Sequence, residues 1–94
     1  MFKLKKTFTI TAPDGIHARP AALLVNAAAN FTSDILISYE GQEANLKSIL
    51  SVMALSIPSQ AAIELSASGD DAEVALDYLK QFFIDQDLGE ICEK

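Results

Sequence analysis

The sequence predicts one α+β domain, in which a four-stranded, mainly antiparallel sheet carries three helices on one face. Its 94 residues suit a single core, and half of them are hydrophobic, which excludes a wholly disordered chain. Apolar side chains alternate in three segments, a turn signal indicates a short fourth strand, and three other segments show the spacing or the end signals of helices. The order of these segments, βαββαβα, does not fit the successive βαβ units of an all-parallel sheet.

A short turn separates the first strand from the first helix. Thr7–Ala12 alternates between apolar side chains and threonines, which is the period of a half-buried strand, and Pro13–Gly15 ends it. The first helix is predicted over Ala18–Asn30, with Pro20 in its first turn, where a missing N–H group costs no hydrogen bond. The apolar stripe of this helix consists of Ala21, Leu24, Val25 and Ala28.

A β-hairpin and a short helix follow. Asp34–Tyr39 alternates again, and Glu40–Gly41 turns the chain back into a partner strand over Gln42–Leu46. Ser48 is the expected N-cap of a second helix that runs to about Leu55. These segments predict the middle of the domain, with two strands of the sheet and one helix.

The last strand and the last helix complete the pattern. Ala61–Ala67 alternates as a fourth strand, and Asp70 with Glu73 forms the expected capping box of a third helix that ends near Asp85. We expect one domain over residues 1–94, in which residues 87–94 are a short C-terminal extension.

Charge and cysteine content limit the function. The net charge of −6 repels phosphate backbones and anionic lipids, so we expect neither a nucleic acid partner nor membrane insertion. The single cysteine, Cys92, is expected in a frayed tail and favours a reducing compartment. The residues after Phe2–Lys6 are too polar for a signal peptide. The sequence also contains no run of about 18 apolar residues, the length that a bilayer-spanning helix needs. We therefore expect a cytoplasmic protein.

The only histidine, His17, lies between a predicted turn and the first helix. Its ring would project beside the unsatisfied N–H groups and the partial positive charge of a helix N-terminus, which together favour an anion. Arg19, the only arginine, is two residues away and carries a fork of donors suited to phosphate oxygens. A neutral imidazole is also a suitable nucleophile for phosphoryl transfer. The competing interpretation is that His17 only caps the helix or packs in the turn.

The sequence indicates no metal and no cofactor. A zinc site normally requires three or four clustered protein ligands, and Cys92 is far from His17 along the chain. Neither a GxxxxGK[ST] loop nor a GxGxxG fingerprint is present, so neither common nucleotide-binding motif is visible. A self-contained kinase is therefore not expected.

Two motifs carry a resemblance to a known family. Gly15–Ala22 reads GIHARPAA, and Asn45–Leu55 reads NLKSILSVMAL. Together with the lead-in TFTITAPDG, they resemble the HPr family, the histidine-containing phosphocarriers of the bacterial sugar phosphotransferase system. The resemblance covers nearly the whole chain apart from the extension. It implies an open-faced β-sandwich with sheet order 1-4-2-3 and three helices on one face.

The resemblance also implies roles for the first motif. The histidine that matches His17 takes a phosphoryl group on Nδ1 from phosphorylated Enzyme I and passes it to IIA domains of sugar permeases. Arg19 would stabilise the transferring group, and Pro20 would fix the helix start. Such a protein is a carrier rather than an enzyme, and we expect it to act as a monomer.

Ser48 has a second interpretation beside that of an N-cap. In many Gram-positive relatives the matching serine is phosphorylated by HPr kinase/phosphorylase, and the product binds a catabolite-control transcription factor. A phosphate would add about −1.5 to −2 charges at a helix start without melting the fold. We therefore expect regulation at Ser48, which is compatible with its role as a cap.

The apolar residues of the second motif also have two interpretations. Their spacing favours burial of Ile49, Leu50 and Met53 in the core. The resemblance instead places them in an exposed patch beside the histidine, which docks Enzyme I, IIA domains and the kinase.

The chain departs from its relatives at several positions. Many relatives carry lysines where this chain has Asn26, Ala29 and Ser51, so electrostatic steering towards Enzyme I is expected to be weaker. Ser56 replaces a glycine that is common in the second motif. Two alternatives stay open: a regulatory paralogue that acts mainly through Ser48, and a hydrolase with a phosphohistidine intermediate. The hydrolase would need a general acid and a substrate pocket, and the sequence indicates neither.

Overall fold

Eight elements of secondary structure follow one another along residues 3–92, the part of the chain that the computed structural model describes. The strands are β1 (Lys3–Ile10), β2 (Asp34–Tyr39), β3 (Gln42–Asn45), β4 (Ala62–Ser68) and β5 (Gly89–Cys92). The helices are α1 (Ala18–Ala28), α2 (Ile49–Ala54) and α3 (Ala72–Asp85). Within these residues no helix has the length and apolar character needed to cross a bilayer.

The strands form one sheet in the order β3-β2-β4-β1-β5, and every neighbouring pair is antiparallel. The predicted α+β class and the predicted strand order 1-4-2-3 are confirmed. The prediction of four strands is corrected by β5, which adds a fifth strand beside β1.

The apolar faces of the strands point to the same side of the sheet. Phe8 pairs with Ile63, and Ile37 pairs with Leu65, and all four side chains are buried. Phe83 of α3 stacks on Phe8 with the ring centroids 4.6 Å apart. Burying a ring of this size stabilises a fold by roughly 1.5–3 kcal/mol. The core therefore lies between this face of the sheet and the buried stripes of the helices.

The hairpin between β2 and β3 is confirmed. Tyr39 pairs with Gln42 across a two-residue loop. The two loop residues, Glu40 and Gly41, have φ angles of 49° and 82°. Two successive positive φ angles characterise the turn that matches the twist of adjacent strands. The register of this hairpin therefore follows from the local sequence.

β1 begins four residues earlier than its apolar alternation predicts. Lys3 pairs with Ser68 and Lys6 pairs with Leu65, so the lysine-rich segment belongs to the sheet. Main-chain hydrogen bonds hold a strand whatever the side chain, and the long stem of a lysine lets its charged head reach water from either face of a strand end. The alternation of apolar residues therefore predicts only the second half of β1, whose apolar side chains are buried in the core.

The expectation of a frayed C-terminal tail is wrong as far as Cys92, and residues 93–94 lie outside the described residues. The main-chain N–H of Leu88 donates to the Phe83 carbonyl at 2.9 Å, and its side chain is buried. Gly89 lies so close to β1 that an added Cβ would come within 2.6 Å of the Thr9 carbonyl oxygen. Cys92 is half-buried, with its Sγ 2.9 Å from Thr9 Oγ1. The extension therefore packs as part of the sheet.

The predicted capping box of α3 is also wrong. The N-cap is Asp71 rather than Asp70, and its side chain makes no hydrogen bond within α3. Its carboxylate instead accepts from the backbone N–H groups of Thr32 and Ser33, each at 2.9 Å, and from the Ser33 hydroxyl. These bonds, with that from the Ser33 hydroxyl foremost, lower the pKa of Asp71 from 3.8 to about 2. Asp71 thus joins the α1–β2 connection to the start of α3.

Candidate functional site

The connection between β1 and α1 is a fixed turn. The N–H of Gly15 donates to the Ala12 carbonyl at 3.0 Å, and that of Ile16 donates to the Ile57 carbonyl at 2.9 Å. Gly15 has a φ of +69°, and a Cβ there would lie 2.2 Å from the Ile57 carbonyl oxygen. Only glycine meets both requirements. Because the Ile16 side chain is buried as well, the next residue, His17, extends from a rigid support.

His17 is the N-cap of α1, as its place in the sequence predicts. Its φ and ψ are −88° and −165°, and its carbonyl accepts the first helical hydrogen bond from the Ala21 N–H at 3.0 Å. The imidazole is exposed and makes no capping hydrogen bond. The first turn of α1 contains no acidic residue. The N–H groups of Ala18 and Arg19, which have no intrahelical partner, therefore keep their capacity to bind an anion.

Clefts border His17 on two sides. One, of about 560 Å³, lies between the start of α1 and the α3–β5 turn, residues Gln86–Leu88. The other, of about 360 Å³, lies between His17 and the end of α2, where Met53 and Ser56 line it. Asp14 borders both clefts. The imidazole is therefore accessible to a partner from either side.

The structure brings His17, Arg19 and Pro20 together in the larger cleft. Arg19 is exposed, whereas the ring of Pro20 is buried in the third position of α1, where no N–H is required. The exposed Asp14 and Asp87 line the same cleft, so two acidic residues and Arg19 border the space beside His17.

Ser48 is the N-cap of α2, as predicted. Its hydroxyl accepts a hydrogen bond from the Ser51 N–H at 3.4 Å, and the side chain is half-buried. Ser48 lines neither of the two clefts that border His17. The structure therefore supports the role of Ser48 as a cap.

The three apolar residues assigned to a docking patch are exposed to different extents. Leu50 is 79% exposed and Met53 is 39% exposed. Ile49 is half-buried and packs against the core, so less of its side chain is open to a partner than that of Leu50. Of the three, only Met53 lines a cleft together with His17.

Ser56 adopts a backbone conformation that suits glycine, the residue that is common at this position in relatives. Its φ of 52° lies in the left-handed region, which costs a side chain more than it costs glycine. The Ser56 N–H donates to the Met53 carbonyl at 3.1 Å and closes the end of α2. The serine therefore occupies a strained position beside the histidine.

Two contributors to the larger cleft are absent from the sequence-based predictions. Leu23 lies four residues after Arg19 in α1 and is 39% exposed, so helical spacing from Arg19 could have identified it. Gln86–Leu88 reaches the cleft only because β5 pairs with β1. No local pattern in the sequence signals that pairing.

The site suits acceptance and release of a phosphoryl group. It combines an exposed imidazole with an uncapped helix N-terminus and a guanidinium two residues away, and phosphoryl transfer depends on such positioning and charge. Across residues 3–92, no three His, Cys, Asp or Glu side chains are grouped as metal ligands would be.

Comparisons with known proteins agree with this chemistry. A family model described as the PTS HPr component phosphorylation site matches residues 4–85. The chain is 41% identical to the histidine-containing phosphocarrier protein of Mycoplasma, with a TM-score of 0.89 over 92% of this chain and 98% of that one. It is 36% identical to phosphocarrier protein HPr of Bacillus anthracis, with a TM-score of 0.82 over 87% of this chain and 98% of that one.

A further similarity is to Crh, the catabolite repression containing protein of Bacillus subtilis. The identity is 34% and the TM-score is 0.70, over 86% of this chain and 88% of that one. The family match extends over most of the sequence and includes His17, Arg19 and Ser48. The site geometry and these similarities agree, and the chain belongs to the HPr family of phosphotransferase-system phosphocarriers.

Proposed function

We propose that this protein carries phosphoryl groups in the cytoplasm from phosphorylated Enzyme I to IIA domains of sugar permeases, with His17 as the acceptor. The observation that carries the proposal is the position of the exposed His17 at the uncapped N-terminus of α1, with clefts on two sides. Membership of the HPr family supports the carrier role.

The transfer is a simple exchange of bonds. The Nδ1 lone pair of the neutral His17 imidazole forms a bond to phosphorus while the bond from phosphorus to the donor atom of Enzyme I breaks, and its electron pair returns to the donor. The guanidinium of Arg19 and the first N–H groups of α1 stabilise the transferring oxygens. The reverse step gives the group to a IIA domain, so the protein emerges unchanged and acts as a carrier.

Labelling followed by intact-protein mass spectrometry tests the acceptor. The wild type and Ser48→Ala are expected to gain one acid-labile phosphoryl group from phosphoenolpyruvate and Enzyme I, whereas His17→Ala gains none. A parallel reaction with phosphoramidate, a small chemical donor, tests His17 without any requirement for docking. Retained labelling of His17→Ala would overturn the assignment.

Leu50 and Met53 are proposed as the docking surface for Enzyme I and IIA domains. Both are exposed apolar side chains on α2, and Met53 borders a cleft with His17. Such contacts at the centre of an interface contribute 1 kcal/mol or more, so Met53→Glu should slow transfer by about fivefold or more. Val74→Glu is the matched control, because Val74 is an exposed apolar residue of α3 that lines neither cleft.

The fold stability of Met53→Glu decides its interpretation. Exposure of the side chain predicts a Tm close to that of the wild type. A large drop in Tm would identify Met53 as a core residue. Equal slowing by Val74→Glu would mean that added negative charge alone impairs docking.

Regulation through Ser48 is proposed as a second function, favoured by the similarity to Crh. HPr kinase/phosphorylase with ATP should label the wild type and not Ser48→Ala, and the product is expected to bind a catabolite-control transcription factor. The added charge beside α2 should weaken docking and slow labelling of His17. Strong labelling of Ser48 with poor exchange at His17 would favour a mainly regulatory paralogue. Absence of Ser48 labelling would contradict this function.

A further inference from the structure

The α3–β5 turn is fixed against the segment that leads to His17. The Leu88 carbonyl accepts hydrogen bonds from the N–H groups of Thr11 and Ala12, at 2.9 Å and 3.2 Å. The Leu88 side chain is buried, which anchors the turn on its other side. The turn therefore holds its place relative to the start of α1.

Asp87 is the exposed residue of this anchored turn. Its N–H donates to the Ile84 carbonyl at 3.2 Å, and its φ of 55° lies in the left-handed region. Asp and Asn tolerate that region better than most residues with a side chain. While Leu88 is buried, Asp87 lines the larger cleft beside His17 and Arg19. The local backbone thus places an acidic residue at the cleft where phosphoryl transfer is proposed.

The charges around the imidazole can be assigned to each neighbouring element. The β1–α1 turn supplies Asp14, α1 supplies Arg19, and the α3–β5 turn supplies Asp87. On the α2 side, the lining residues other than Asp14 and His17 carry no charged group. With His17 neutral, two carboxylates oppose one guanidinium. A phosphoryl group with a charge of about −2 would therefore arrive in surroundings that are already negative.

We infer that the Asp87 carboxylate destabilises the phosphorylated form of His17 and thereby favours delivery of the phosphoryl group over its retention. The inference rests on the proposed acceptor role of His17. Arg19 draws the group into the cleft, whereas Asp87 limits how tightly the loaded protein holds it. The family match ends at residue 85, so this wall of the cleft lies outside the matched motif.

The equilibrium constant for loading from phosphorylated Enzyme I measures this effect. It compares the loaded and unloaded proteins and does not depend on how fast they dock. Removing a unit charge from a cleft that also holds a doubly charged group changes an equilibrium by roughly three- to tenfold in a water-like medium. We therefore expect Asp87→Asn to raise the loading constant by that factor at low salt, as measured by intact-protein mass spectrometry.

Asp85→Asn is the matched control. Asp85 is exposed near the same turn, its carboxylate accepts from the Gln81 amide at 2.9 Å, and it lines neither cleft beside His17. Its loading constant should equal that of the wild type. Asparagine suits the backbone of Asp87, so that variant should keep the wild-type Tm. In 1 M salt, where the Debye length is about 3 Å, the effect of Asp87→Asn should largely disappear.

Each outcome separates the inference from the function on which it rests. A loading constant unchanged by Asp87→Asn at low salt would overturn the inference, while a loaded wild type would keep the carrier function. A change that persists in 1 M salt would show a structural role and would also overturn the inference. If neither Enzyme I nor phosphoramidate loads His17 in the wild type, both the inference and the proposed carrier function are overturned.

Discussion

The N-termini of α1 and α3 use their capping residues in different ways. Neither the His17 side chain nor the Asp71 side chain makes a hydrogen bond to its own helix. The Asp71 carboxylate accepts three hydrogen bonds from the α1–β2 connection, whereas the His17 ring is exposed beside two clefts. The α3 start therefore contributes to the tertiary structure, and the α1 start keeps its N–H groups available for an anion. The comparison teaches that a helix start without a side-chain cap indicates a functional site when the side chain of its N-cap residue makes no hydrogen bond elsewhere in the fold either.

Replacing His17 with serine should give the largest effect. His17→Ser should lose labelling by Enzyme I completely, because the proposed nucleophile is removed. A serine at this position could accept a hydrogen bond from the Arg19 N–H, although Pro20 offers none, so the variant should gain about 0.5 kcal/mol in denaturant unfolding. His17→Ala should lose labelling without that gain. A loss of stability in His17→Ser would mean that the imidazole packs against the turn.

Replacing Asp71 with asparagine tests the other helix start. An amide offers one oxygen, and its NH2 group would face backbone donors, so Asp71→Asn should lower the Tm by several degrees while labelling of His17 is retained. The folded-state pKa of about 2 lies below the usual value of 3.8, so the stabilisation is fully present above about pH 5. It is lost as the pH falls towards 2.

The difference in Tm between wild type and Asp71→Asn should therefore shrink between pH 5 and about 2. Asp70→Asn is the control, because Asp70 is an exposed neighbour that accepts none of these hydrogen bonds. A difference in Tm that stays constant over this pH range would contradict the role of the Asp71 carboxylate.

Replacing Ser48, the N-cap of α2, should give the smallest effect of the three helix starts. Its hydroxyl accepts one bond from the Ser51 N–H, and the separation of 3.4 Å is long. Ser48→Ala should therefore reduce the free energy of unfolding by about 0.5 kcal/mol, at the low end for an N-cap. Chemical denaturation would measure it. A loss greater than that of Asp71→Asn would reverse the proposed ranking.

Local patterns predict the parts of the fold that depend on neighbours in sequence. The β2–β3 hairpin follows from Glu40–Gly41, and the site of α1 follows from the order of turn, His17 and Pro20. The cap at Ser48 is equally local. For this reason the sequence predicts the part of the candidate site that the start of α1 contributes.

Long-range pairing explains the predictions that fail. Asp71 and Ser33 are 38 residues apart, so a capping box was the nearest local explanation of an acidic helix start. Cys92 and Thr9 are 83 residues apart, and the four residues of β5 are too few to show a clear period. The wall of the cleft at Asp87 depends on that pairing and could not be predicted with the rest of the site.

The position of β5 also has a consequence for aggregation. Without β5, the second half of β1 would expose unpaired main-chain groups along one side, and such an edge is a template for strands of other molecules. The first half of β1 extends beyond β5, and it carries Lys3, Lys5 and Lys6. Closely spaced positive charges disfavour the approach of a second, identical edge. On this flank the free edge thus consists of β5, which has only four residues, and of the first half of β1 with its lysines, and both features disfavour edge-to-edge pairing.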